Sequence, residues 1–416
     1  MNGFRFNLCQ RPVGQGGFHV GSLAACKDDD SHFHISCPPD FRWAYDCGSN
    51  QIDVLNREID NFQGSEFDVL FLSHLDSDHV CGVDKLTGNT QVKEVVLPYL
   101  SDDDWALHLA AEISNGTFSG TFADLVADPS GWFGSRGVER LTYIEAESDD
   151  NNEEPILEPV DQPNEHRERV SDGHPKIIWS RSRLKSSTSQ AAPDKAQVSI
   201  VSKGGVGSVS ISGQILTWVL SPFAYRPSDI KMQQFRVALE NAFGKYLSAK
   251  DYAEKARTDS GRKLLRKCYD DIWKDHNLHS MALYTGPRDK NYRNIQSTAW
   301  YGRFIHRIVA PGWVSTGDFD SAVMCRRNKL LKHYSLYANM VGHMTLPHHG
   351  SDASFDAALL TAFPNLFAAV AAVGPNTYGH PGCTVMAEIA RMPTVNFVRV
   401  DQNQSSRYSV DGYISQ

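Results

Sequence analysis

The sequence predicts a layered α/β fold, and three observations carry that expectation. Short apolar runs bounded by Gly, Asp, Asn or Pro recur along the chain, the pattern of buried strands rather than packed helices. Segments with helical spacing alternate with them, and strand–helix–strand order is what stacks helices on a sheet. Finally, 41% hydrophobic and 22% charged residues in a chain of 416 are ordinary globular proportions, sufficient for a sizeable core.

Candidate strands lie at 18–25, 41–45, 69–72 and 92–97, with a helix at 54–62 between the second and third. Asp102, Asp103 and Asp104 can start a helix reaching residue 113, because carboxylates near a helix N-terminus meet its unpaired N–H groups. Residues 145–165 hold nine Asp or Glu and no Lys or Arg. Such a run repels itself and buries little, so an acidic, disordered loop insertion is expected over 145–176. Strands return at 198–201, 209–211 and 215–220. Residues 226–275 are expected to form a basic helical insertion, whose Lys255, Arg257, Arg262, Lys263, Arg266 and Lys267 read either as a solvated helix face or as a phosphate-contacting one. Strands are then expected at 281–284, 312–315 and 366–373, and helices at 322–337 and 355–363. One domain over residues 1–416, carrying these two insertions, accounts for the whole pattern.

Several function classes are excluded. The longest strictly apolar run, residues 366–373, is less than half of the roughly 20 residues a membrane-spanning helix needs, so no membrane partner is expected. A net charge of −8 argues against a globally basic nucleic-acid binder while leaving room for a local basic groove. Residues 1–10 carry one Arg and no sustained apolar run, and the eight cysteines form no Cys-x-x-Cys pair. Both features fit free thiols in a cytoplasmic protein.

The chemistry concentrates after residue 67. An apolar strand ends in a loop presenting His74, Asp76, Asp78 and His79. Four imidazole and carboxylate ligands within six residues, on a turn, can converge on a divalent ion, and the mixed N/O set suits zinc, manganese or iron. Three later segments repeat the design: Trp313 to Asp318, where Gly317 permits a tight approach; Met344 to Ser351, with His348 and His349 adjacent; and Thr377 to Pro381, carrying His380. Each lies where a strand should end, as expected of ligands gathered along one edge of stacked sheets.

These motifs resemble the metallo-β-lactamase-fold hydrolases, whose common pattern is His-x-His-x-Asp-His. Within them the chain is most similar to the nuclease-like domain of the DNA-uptake protein ComEC and its stand-alone relatives. The likeness rests on Val13-Gly-Gln-Gly16, Asp46-Cys-Gly48, His-x-Asp-x-Asp-His over 74–79, the strand from Leu216 to Pro222, Asn277-Leu-His-Ser280, Thr-Gly-Asp318, Pro-His-His-Gly-Ser351 and Asn376 to Pro381. It implies an αββα sandwich holding two divalent ions, manganese or zinc with magnesium possible. His74 and Asp76 would hold the first, with Asp76 standing where the common pattern has histidine. Asp78, His79 and His380 would hold the second, Asp318 would bridge both, and Asp46 would orient a ligand histidine. His348 or His349 would be the general acid, or one of them a further ligand. The family's isolated histidine ligand between the loop and the bridging Asp has no counterpart here, because His108, His166 and His174 all lie in the wrong context.

Such a site would activate water against phosphodiesters. The expectation is therefore a metal-dependent nuclease, DNA favoured as substrate, with Asp78, Asp318, His348 and His349 as its catalytic groups. Arg326, Arg327, Lys329 and Lys332, just after the bridging Asp, are candidate nucleic-acid contacts or a solvated helix face. Alternatives are a small-molecule hydrolase acting on lactones, thioesters or cyclic nucleotides, and a regulatory subunit with a protein partner in a multi-gene antiviral defence system.

Overall fold

The computed structural model describes residues 3–26, 38–147, 174–184, 194–273, 279–289 and 294–415. Most of the acidic segment (148–173), His166 and Asn277 lie outside the described residues, and with them the expectation of a disordered loop.

The chain is mixed α/β, and among the described residues it forms two large mixed sheets of eleven and eight strands. The first runs, edge to edge, Phe304–Ile308, Asn294–Tyr301, Tyr408–Ser415, Gly3–Gln10, His19–Cys26, Phe41–Tyr45, Glu66–Phe71, Gln91–Pro98, Arg140–Ile144, Gln197–Val201 and Ser182–Leu184. Its stretch from Phe41–Tyr45 to Gln197–Val201 is parallel. The second runs Asn396–Val400, Ala368–Ala372, Val341–Thr345, Gly312–Ser315, Ser280–Pro287, Gln214–Tyr225, Gly207–Ile211 and Lys176–Trp179. There the first four strands are parallel.

Apolar burial explains the arrangement. One cluster draws on both sheets, with Phe4, Phe6, Trp43 and Phe71 from the first meeting Trp218, Leu283, Trp313 and Val370 from the second. The remaining faces carry helices. Leu70, Val95 and Leu141 share a cluster with Leu55, Leu107, Phe235, Tyr252 and Leu265. Val219, Val314 and Ala369 share another with Leu330, Tyr334, Leu359 and Val385. Ala368–Ala372 is buried on both faces and reads as a continuous apolar run, whereas the edge strand Asn396–Val400 exposes Asn396 and Arg399.

The expected insertion at 226–275 contains three helices, Asp229–Phe243, Ala249–Ala256 and Asp259–Asp270. Three of their arginines engage the rest of the chain, Arg236 pairing with Asp103, Arg257 with Asp124, and Arg266 donating to the Ile113 carbonyl, while Lys255, Lys263 and Lys267 are exposed. Helix Asp102–Asn115 begins where expected because the Ser101 hydroxyl and the Asp104 carboxylate each bond the other's backbone N–H, and it ends at Gly116 with φ 77°.

Three expectations need correction. The helix placed at 322–337 is Met324–Tyr334 followed by a 3₁₀ segment, Ser335–Met340. That placed at 355–363 shrinks to one turn, Ala358–Thr361, because Asp356 and the Ser321 hydroxyl tie down the preceding backbone. Of the expected acidic insertion, Glu147 bridges to Tyr225 and Lys176 opens a strand, so its described ends belong to the framework. Among the described residues no disulfide joins the cysteines, and no helix is long and apolar enough to cross a membrane.

Trp218 is fully buried between the sheets and its indole N–H donates to the Thr285 hydroxyl at 2.9 Å. Trp218→Ala is expected to cost about 3–5 kcal/mol, read as a lowered midpoint in urea denaturation.

Candidate metal centre

The candidate residues converge at the carboxyl ends of parallel strands. Asp46 follows Phe41–Tyr45, the loop at 74–79 follows Glu66–Phe71, Asp318 follows Gly312–Ser315, and His348 and His349 follow Val341–Thr345. Side chains leaving several neighbouring strands at one end can meet without distorting any strand.

Asp46 organises the loop. Its backbone takes a left-handed φ of 58°, unusual outside glycine but tolerated by Asp. One carboxylate oxygen accepts the Ser73 N–H at 2.7 Å; the other lies 2.8 Å from both the Ser73 hydroxyl and His79 Nδ1. The Ser73 oxygen in turn lies 2.7 Å from His74 Nδ1. With its proton given to Asp46, that hydroxyl accepts from His74. A Cβ on Gly48 would stand 2.4 Å from the backbone of Asp78 and His79, so only glycine lets the Asp46 turn lie against the loop.

His349 is held in the same way by different means. His348, His349 and Gly350 all have positive φ, at 46°, 56° and 83°, a run of strained backbone that needs strong local support. His349 Nδ1 donates to the Ala372 carbonyl at 2.9 Å. Each of His74, His79 and His349 therefore uses Nδ1 as an outward donor and turns Nε2 inward.

Asp318 receives them. Its Oδ1 is 3.2 Å from His79 Nε2 and 3.9 Å from His349 Nε2, while its Oδ2 is 3.7 Å from His74 Nε2 and 3.6 Å from His348 Nε2. Two compact ligand groups result: His74, His79 and Asp318; and Asp78, His79 and His349, with Asp78 3.4 Å from His349 Nε2. The Nε2 atoms of His74, His79 and His349 and Asp318 Oδ1 are buried without a hydrogen-bond partner. Buried polar atoms left this way are costly, and either group could hold a divalent cation that engages its members, so these residues fit a metal ion.

Protonation follows the same geometry. Burial holds His74 down at about 4, leaving it neutral and able to ligate at pH 7. Burial also opposes charge on His79, but Asp318, Asp46 and Asp78 outweigh it and raise this imidazole well above its ordinary value. For Asp78, burial is outweighed by the neighbouring imidazoles of His79 and His349, which hold the carboxyl at about 2. Asp76 is pushed well up by burial and then by Glu112, Asp78 and Asp318.

Not every expected residue takes its expected place. His380 lies outside both compact ligand groups, its ring 5.2 Å from that of His348 and 6.5 Å from that of His349. His349 belongs to one of those groups instead, its ring fixed by the Ala372 carbonyl. Asp76 stays at the margin, 3.8 Å from His74 Nε2. Arg326 lies 3.5 Å from Asp320 and over the Tyr225 ring, and Arg327 bonds Asp356 and the Ser321 carbonyl. These two arginines brace the segment after Asp318; Lys329 and Lys332 sit half-buried on the same helix. Sequence reasoning missed Ser73 and Glu112, and treated His108 as ordinary. His108 is buried against His279, which in turn bonds Asp104 at 2.9 Å.

Asp46→Ala frees the His79 ring and is expected to weaken manganese or zinc binding about 10–100-fold, measured by competition with a chromophoric chelator. In the same titrations wild-type affinity should rise with pH, because a cation must displace the proton that His79 holds.

No protein-family model matches this chain, and no curated protein matches it.

Proposed function

We propose that this chain is a metal-dependent phosphodiesterase with a metallo-β-lactamase-type αββα sandwich, acting on nucleic acid, with DNA as the favoured substrate. The observation that carries the reading is the placement of Asp318, whose two carboxylate oxygens each face a different pair of imidazole Nε2 atoms. A carboxylate so placed can serve two cation positions at once. The two sheets, with helix-bearing clusters on their remaining faces, support the fold assignment.

His74 and Asp318, with Asp76 at the margin, would hold one ion; Asp78, His79, His349 and Asp318 would hold the other. The donors are nitrogen and oxygen without thiolate, which suits manganese or zinc, with magnesium less well matched to the imidazoles. Divalent ions held there would acidify a coordinated water and offset the charge that grows on the phosphoryl oxygens. Asp46 and the Ala372 carbonyl keep the rings of His79 and His349 in the ligating orientation. With His349 committed to the ligand set, proton delivery to the departing alkoxide falls to His348. Its Nε2 faces Asp318 and its Nδ1 lies 3.2 Å from the Ser354 hydroxyl, so both ring nitrogens have a partner for the charged form. His380, held neutral near 4 by burial and by His348 and His349, is poorly suited to that task.

A second reading, hydrolysis of a small ester or cyclic nucleotide on the same site, draws support from the arginines. Arg326 and Arg327 are engaged within the chain, and a small substrate needs no extended cationic track. A panel of single- and double-stranded DNA, RNA, cyclic nucleotides and lactones, run with manganese, zinc and magnesium, separates the readings. DNA cleavage supports the first, and lactone or cyclic-nucleotide turnover with DNA untouched supports the second. Asp318→Ala should lower phosphodiester cleavage more than about 100-fold, beyond what loss of a supporting group costs, with the circular dichroism spectrum unchanged. Wild-type turnover in that variant overturns the proposal.

A further inference from the structure

A second concavity adjoins the metal loop on its other side. It encloses about 320 Å³, the lower range of small-ligand sites. The ligand loop and helix Asp102–Asn115 contribute to its wall, as do the following short helices, Gly120–Ala127 and Pro129–Gly134. Leu75, Phe122 and Trp132 supply apolar and aromatic surface, and Ser77 and Glu112 supply polar groups. Among the described residues its lining holds no Lys, Arg or His.

Three consecutive residues tie this cavity to the candidate catalytic centre. Ser77 lines the cavity, while its neighbours Asp76 and Asp78 approach the imidazoles, Asp76 at 3.8 Å from His74 Nε2 and Asp78 at 3.4 Å from His349 Nε2. A substrate reacting at the metal centre therefore has a chamber one residue away. The chemistry of that chamber is selective. Arg136, which stacks on Trp132 and pairs with Asp84 at 2.6 Å, is already answered, and with no cation of its own the described lining holds a phosphate or carboxylate poorly against desolvation. An aliphatic chain would bring no donor to the buried Glu112 carboxyl, whose present partner is the Thr117 hydroxyl. A planar heteroaromatic ring with N–H donors answers both constraints, since its faces stack on aromatic side chains and its edge donates to a carboxylate.

We infer that this cavity receives a nucleobase of the substrate, with Phe122 and Trp132 packing on the ring and Glu112 accepting from its exocyclic amine, while the charged phosphodiester stays at the metal centre. This deepens the phosphodiesterase reading and rests on it for the identity of the reacting group, but base binding can be measured without catalysis.

The test is calorimetric titration, in EDTA, with 2′-deoxyadenosine and with base-free 2-deoxyribose. Saturable binding of the nucleoside alone is expected, about tenfold weaker in Thr121→Trp, which puts an indole at the exposed rim of the cavity. Hydrogen exchange on the wild-type protein gives a readout independent of that variant's folding, with nucleoside-induced protection expected in peptides spanning residues 72–84 and 112–133. No nucleoside binding, equal binding of 2-deoxyribose, or protection elsewhere overturns the assignment. Comparing deoxyadenylate with oligodeoxyadenylate identifies the source of the base: tighter binding of the oligomer assigns a strand, and equal binding a free nucleotide. Hydrolysis of bis(4-nitrophenyl) phosphate with manganese tests the metal centre separately, so either reading can fail while the other stands.

Discussion

The structure turns on one buried carboxylate. Asp318 sits among four imidazoles, with Asp46, Asp76 and Asp78 close by. So many ionisable groups in a desolvated space stay together only if each charge is answered. The protein answers part of this internally: Asp46 is satisfied by Ser73 and His79, and His349 by the Ala372 carbonyl. What remains unanswered is confined to the inward atoms, and the imbalance there is one that positive charge corrects. These clustered groups could thus hold a metal ion.

Everything around it serves to hold that imbalance in place. Two sheets bring the ends of their parallel strands to one locality, and the aromatic packing of Trp43, Trp218 and Trp313 locks one sheet against the other. Tyr45, at the end of the strand before Asp46, donates its hydroxyl to the Met281 carbonyl at 2.6 Å, so the two halves of the ligand set are tied directly. The price is local strain at Asp46, His348 and His349, a pattern usual where backbone aims a functional group.

Much of this was legible in the sequence because its physics is local. A buried strand followed by clustered imidazoles and carboxylates needs only a turn to make a site, and the strands at 41–45 and 312–315 lie where their apolar runs end. The rest depends on distant partners. Gly3–Gln10 and Tyr408–Ser415 pair across almost the entire chain, and neither segment announces a neighbour so far away. That His349 and not His380 joins a compact group of candidate ligands depends on the direction of a ring, set by a carbonyl 23 residues later. Arg326 and Arg327 read equally as nucleic-acid contacts or as a solvated helix face, and neither reading reveals their pairing with Asp320 and Asp356. Ser73 was invisible for a similar reason: a lone serine has no pattern, and its role comes from lying between Asp46 and His74.

Anomalous diffraction from crystals grown with manganese bears most directly on the central claim. Two peaks are predicted, one beside each carboxylate oxygen of Asp318, the first within reach of His74 and the second within reach of Asp78, His79 and His349. The absence of anomalous density at Asp318, with the histidine rings still turned inward as described, would contradict the account.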